Sequence, residues 1–317
     1  MQIDYRRASI KMPDFLVVGA PRSGTTTLYT LLSGHPRIFM PFEKEPTFFA
    51  RWGKEPLYRY QKAKVGADYI VRDLNDYVRL FLGAKENQII GEASTLYLYL
   101  HQDSIENINK IYGSKLRDIK IIALLRNPAE RAWSQYCQKK KLGEEPLEFN
   151  EAIDPQTIRQ RHEEQMIPSY DYVGMGMYSD HIKAYKENFP QTKILFFEDF
   201  IQNPRNTMSQ VSEFLEIEDT WKNASIKTYN ASGTPKNKVA EIVDKFVFKP
   251  NRFKDRFKLI LPAKARKGIK LRIPARLFNK EALNEPLRLE LMDFYETDIK
   301  KLEKILGSDL SQWRKKP

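Results

Sequence analysis

A single cysteine, Cys137, in 317 residues excludes an internal disulfide and suits a reducing compartment. No apolar run reaches the roughly 18 residues that span a bilayer. The opening residues, MQIDYRRASIKMPDF, lack the apolar stretch of a signal peptide. Together these absences predict a cytoplasmic protein. The chain has four histidines, and none stands at metal-ligand or triad spacing from a partner. His35, in SGHPRI, reads as a turn residue, His162 as part of a solvated helix face, and His181 as a helix residue. All four are read as structural; His101, six residues beyond Thr95, is the one for which a place facing the acceptor pocket also stays open. No internal repeat or low-complexity linker divides the sequence, so residues 1–317 are read as one domain.

Against these absences stands one dense signal, FLVVGAPRSGTTTLYTLL at residues 15–32. Phe15 to Val18 is an apolar, β-prone run. Gly19 to Gly24 is a small-residue loop with one cation, Arg22. Thr25 to Leu32 reads as a helix, with Leu28, Leu31 and Leu32 on one face and Gly34 as its stop. Strand, glycine loop and helix N-terminus make an anion site, because free N–H groups and the helix dipole favour negative charge there. A nucleotide triphosphatase loop requires G-x-x-x-x-G-K-[ST]. Here Gly19 and Gly24 keep the spacing, but Thr25 replaces the lysine and the charge lies inside the loop, on Arg22.

A second segment, DIKIIALLRN at 118–127, reads as a buried strand over 119–125 ending at Arg126. Pro128 opens the following helix. Arg126 and Ser134 can grip one phosphate from two sides, with a planar donor fork and a hydroxyl. The strand also lacks the acidic residue that a Mg²⁺-dependent P-loop enzyme places there. Further strands are expected at 15–18, 88–90 and 193–197, and helices at 25–32, 103–112, 128–141, 178–188, 204–215 and 285–306. This alternation predicts an α/β, P-loop-like, mainly parallel sheet flanked by helices on both faces. Both phosphate loops fall at its carboxyl edge. The polar stretch 142–173 reads as irregular and as a lid over the ligand side.

Charge is uneven. Residues 236–280 hold 15 Lys and Arg against 3 Asp and Glu, which accounts for the whole net charge of +12. Phe, Leu and Ile interleave with these cations. Three readings stay open: a wall attracting an anionic substrate, a peripheral membrane contact through 245–280, or a solvated insertion at about 240–280. No nucleic-acid motif accompanies the charge, so nucleic acid is not expected as a partner.

The two phosphate motifs also carry a resemblance. PRSGTT at 21–26 resembles the 5′-phosphosulfate loop of the sulfotransferases that use 3′-phosphoadenosine-5′-phosphosulfate (PAPS), and RNPAERAWSQY at 126–136 resembles their 3′-phosphate site. KEPTFF (44–49), GEASTLYLYL (91–100), GMYSDHIKAY (176–185), KILFFEDF (193–200), FLEI (214–217) and the C-terminal tail extend it over most of the chain. The bacterial and heparan-sulfate-type members are the nearer subgroup.

The resemblance implies PAPS as sulfuryl donor, no metal, and a hydroxyl or amine acceptor, with carbohydrate or glycolipid favoured. It places Arg22, Ser23, Gly24, Thr25 and Thr26 on the 5′-phosphosulfate, Arg126 and Ser134 on the 3′-phosphate, and Lys236 and Lys238 on a closing loop. Glu45 is then the general base, and Arg22 and Lys44 are the cations at the leaving oxygen. One departure is Ala93, where heparan-sulfate-type members often carry lysine. Glu92, Ser94, Thr95 and Tyr97 are expected to wall the site, and Glu92 and His101 remain alternative bases. A P-loop kinase and a non-catalytic basic protein that binds membranes or polyanions are the competing functional readings.

Overall fold

A computed structural model describes residues 1–5, 8–54, 71–164, 166, 168–221, 234–235, 278–279 and 282–315. In chain order, a hairpin of β1 (Gln2–Tyr5) and β2 (Ala8–Lys11) precedes β3 (Phe15–Gly19), α1 (Thr25–Ser33), β4 (Ile38–Phe39), α2 (Phe48–Arg51) and α3 (Leu74–Arg79). There follow β5 (Ile89–Ala93), α4 (Leu96–Tyr99), α5 (His101–Tyr112), β6 (Lys120–Leu125) and α6 (Pro128–Lys141). Next come α7 (Phe149–Ala152), α8 (Pro155–Glu163), α9 (Tyr178–Asn188), β7 (Thr192–Phe196), α10 (Phe197–Gln202) and α11 (Pro204–Leu215). A short antiparallel pair, β8 (Thr234–Pro235) with β9 (Phe278–Asn279), precedes α12 (Glu285–Leu306) and α13 (Ser311–Arg314).

The main sheet has the order β4-β5-β3-β6-β7, with every neighbouring pair parallel. From β3 the chain moves outward on one side to β4 and β5, then crosses to β6 and β7. The reversal falls between β3 and β6, and ligands of open α/β sheets bind outside the carboxyl ends of the strands at such a point.

Side chains alternate across the sheet. Phe15, Val17, Ile122 and Leu124 meet Leu28 and Leu32 of α1 and Met208, Val211 and Leu215 of α11. Leu16, Val18, Ile121, Ala123 and Leu125 join the opposite core, with Ile108 of α5, Ile182 of α9, and Tyr295 and Ile299 of α12. Both faces are covered, which is why β3 and β6 read as continuous apolar runs.

Gly91 is fixed by close packing. It pairs with Phe15 across β3 and β5, and a Cβ there would stand 2.1 Å from Phe15 Cζ and 2.5 Å from Met40 Sδ. Gly91→Ala should therefore destabilise the fold by about 1–3 kcal/mol through overpacking. Urea denaturation checks this: a lower midpoint with unchanged slope is expected, and an unchanged midpoint would contradict the packing account.

The stretch 142–173 departs from its irregular reading. It contains α7 and α8, the latter capped by the Asp154 side chain. A buried network anchors it: Arg161 pairs with Glu145 at 2.8 Å, Tyr172 donates to Glu145 at 2.6 Å, and Gln135 of α6 donates to the Ser169 carbonyl at 2.6 Å. The segment packs on α6 through this network. Its core is polar and aromatic, so it shows no apolar period.

Candidate active site

The β3–α1 loop presents an open helix N-terminus. Gly24 caps α1 with φ +88°, and no side chain bonds to the first turn, which holds no acidic residue. By contrast α3, α6, α8, α11 and α12 are capped by Asp73, Asn127, Asp154, Asn203 and Asn284. The leading amides of α1 are thus left for an anion. The Ser23 hydroxyl in the same loop is buried without a hydrogen-bond partner. Gly24 is required both by its positive φ and because Phe197 lies 3.0 Å from where its Cβ would be. Thr25 is buried and Thr26 partly exposed at the start of the helix.

The two motifs predicted to act together meet in space. Arg22, with φ +68°, donates from Nε to Ser134 Oγ at 3.1 Å. Arg126 donates from Nη1 to the Arg22 carbonyl at 3.1 Å. Its guanidinium lies over the Phe197 ring at 4.7 Å, with Glu130 3.6 Å away. Burial and the nearby Arg126 pull the Arg22 pKa down to about 10, still charged at neutral pH. Burial likewise lowers Arg126, against the opposing pull of Glu130. Two confined guanidiniums beside an uncapped helix form a strong positive field at the switch point.

Glu45 lies near enough that its charge acts on both Arg22 and Glu92. It has φ +64°, its side chain is 40% exposed, and it forms an ion pair with Lys44. Lys44 is paired with Glu45 among the described residues.

The residues expected to wall the site lie behind it. Glu92, Ser94, Thr95 and Tyr97 are all buried. Glu92 accepts from Tyr97 at 2.6 Å and Tyr77 at 3.1 Å, and burial pushes its pKa up to about 7 against the Tyr97 hydroxyl. Lys236 and Lys238, and the basic stretch apart from Phe278 and Asn279, lie outside the described residues.

The histidines are accounted for elsewhere. His35 accepts the Arg37 amide and bonds the Glu218 carbonyl, and His162 lies 3.4 Å from Asp171. His101 packs on His181, with ring centroids 4.7 Å apart. Burial, reinforced by His101 and opposed by Asp180 and Asp171, holds His181 down at about 4. The unfolded chain takes up that proton near pH 6.5. Stability is thus full above about pH 6.5 and falls toward pH 4, by roughly 3 kcal/mol from this group. Denaturation midpoints between pH 7 and 4 should decline less steeply in His181→Phe. An unaltered slope would contradict the assignment.

Some contributors were not singled out in the sequence. Phe197 is the ring between Gly24 and Arg126; its signal is an aromatic at the end of a parallel strand. Tyr178, at the start of α9, donates to the Arg126 carbonyl at 3.0 Å. Glu198 accepts from the Asn127 amide at 3.0 Å and from Trp313 Nε1 at 3.1 Å, docking α13 against the end of β6. These contacts span 52 to 115 residues and leave no local signature.

The sulfotransferase domain family matches residues 12–259, and the chain belongs to that family. A solved structure, a sulfotransferase from Alicyclobacillus acidocaldarius, shares 25% identity and a TM-score of 0.69, covering 96% of this chain and 100% of its own. A bifunctional heparan sulfate N-deacetylase/N-sulfotransferase 2 from Bos taurus is 26% identical over 65% of this chain and 22% of its own length. A heparan sulfate glucosamine 3-O-sulfotransferase 3A1 from Mus musculus is 25% identical over 66% of this chain and 47% of its own. The matched region is thus about a fifth to a half of these curated relatives. Among the described residues, no helix is long and apolar enough to cross a membrane.

Proposed function

We propose that the chain is a single-domain sulfotransferase that moves the sulfuryl group of PAPS to a hydroxyl or amine of a carbohydrate or glycolipid acceptor. The observation that carries the reading is the convergence of Arg22, Arg126 and Ser134 beside the uncapped start of α1. Family membership supports the donor class. The names of the heparan sulfate relatives support the acceptor class.

The residues fit a nucleotide with two separate anionic groups. Ser23, Gly24, Thr25 and Thr26 would hold the 5′-phosphosulfate, with the orphan Ser23 hydroxyl as a donor. Arg126 and Ser134 would hold the 3′-phosphate. Lys236 and Lys238, outside the described residues, are assigned to cofactor binding by the family resemblance alone. Bound there, PAPS supplies a sulfur–oxygen bond to its phosphate that breaks as the acceptor bonds to sulfur. Glu45 takes the acceptor's proton. Arg22, with Lys44, stabilises charge gathering on the departing phosphate oxygen.

The test is transfer of label from sulfur-labelled PAPS to a desulfated heparan-type glycan with chelator present. Labelled glycan is expected. Transfer from γ-labelled ATP with Mg²⁺ in its place would overturn the reading in favour of a kinase.

A further inference from the structure

Three consecutive residues at the carboxyl end of β5 grip the segment that carries Glu45. We propose that this Glu92–Ala93–Ser94 clamp sets the position of the Glu45 carboxylate, with Glu92 and Ser94 as positioning residues. The inference rests on the reading of Glu45 as the base.

The contacts run in register along 45–49. The Ala93 carbonyl accepts the Glu45 amide at 3.0 Å. Ser94 Oγ accepts the Thr47 amide at 2.9 Å in a buried setting. Glu92 Oε2 accepts both tyrosine hydroxyls. Tyr97 passes the grip on by accepting the Phe49 amide at 3.3 Å. Tyr77 does so by stacking on Phe48, with centroids 4.1 Å apart and planes 12° from parallel.

The segment needs such a grip. Glu45 and Thr47 both lie at positive φ, +64° and +55°, a conformation that costs a residue with a Cβ roughly 1–2 kcal/mol. It persists only where surroundings over-determine it. Among the described residues the Glu45 side chain itself reaches only Lys44. Its aim is therefore set by the backbone, and the backbone by β5.

Glu92 Oε1 is buried without a hydrogen-bond partner, a costly place for a full negative charge. The clamp needs from Glu92 only an acceptor oxygen for the two hydroxyls, which a neutral carboxyl or an amide also offers. Glu92→Gln should keep the clamp. Glu92→Leu should break it, leaving two buried tyrosine hydroxyls without their acceptor.

The experiment measures kcat, acceptor KM and 3′,5′-adenosine bisphosphate affinity for E92Q, E92L and S94A, below each variant's melting temperature. E92Q is expected to retain kcat. S94A and E92L are expected to lose about tenfold or more in kcat, since small misplacements of a reacting group are costly, while KM and bisphosphate affinity stay at wild-type values. Should E92L fail to fold, S94A carries the comparison. Wild-type kcat in folded S94A and E92L would overturn the clamp. So would E92Q losing transfer as completely as Glu45→Ala, which would make the Glu92 carboxylate itself the proton acceptor. Failure of the underlying reading looks different: transfer would survive Glu45→Ala whatever the clamp variants do.

Discussion

Glu45→Ala should lower kcat by about 10²–10⁴-fold, the range expected for a positioned general base, while leaving affinity for 3′,5′-adenosine bisphosphate intact. An acceptor alcohol is a poor nucleophile until its proton departs. Glu45 is the partly exposed carboxylate beside the arginine field, whereas Glu92 is sealed from solvent. Glu45 is ion-paired with Lys44, so the pair must separate before the carboxylate can take the acceptor's proton. Kinetics with saturating donor, paired with calorimetry on the same preparation, separate the two effects. Undiminished transfer would remove Glu45 from the mechanism and bring Glu92 forward. His101 is a weaker successor, since it packs against His181.

The second large effect belongs to Arg126. Arg126→Ala should weaken 3′,5′-adenosine bisphosphate binding by about 10–100-fold, since a hydrogen bond to a charged group contributes roughly 1.5–3 kcal/mol. Binding of 5′-AMP, which lacks the 3′-phosphate, should change far less. The comparison is needed because Arg126 also holds the Arg22 carbonyl, so its loss disturbs the 5′ loop to some degree. Titration of both nucleotides into both proteins gives the ratio. Equal losses would mean that Arg126 serves the loop alone.

The parts of this structure that were legible in the sequence are those with local causes. The helices at 128–141, 204–215 and 285–306 begin where expected, because each starts on an asparagine cap with proline in the first turn. β3 and β6 announced themselves as apolar runs buried on both faces. The meeting of Arg22 with Ser134 followed from two loops at one sheet edge.

What stayed hidden has non-local causes. The strand expected at 88–90 runs on to Ala93 because Gly91, Glu92 and Ala93 pair with Phe15, Leu16 and Val17 of β3, more than seventy positions away. The β1–β2 hairpin and the two-residue β4 are too short for a period to show. Glu92 looked like a wall residue because sequence gives proximity in the chain without direction. Its two tyrosines turn it inward.

In the proposed function, the carboxyl edge of β3 and β6, where Arg22, Arg126 and Ser134 meet the uncapped start of α1, binds a 3′-phosphorylated adenine nucleotide. Calorimetric titration with 3′,5′-adenosine bisphosphate, compared with ADP and with ATP plus Mg²⁺, tests it most directly. Tight binding of the bisphosphate that is indifferent to chelator, with weak binding of the other two, is the predicted result. Preference for ATP with Mg²⁺ would contradict it.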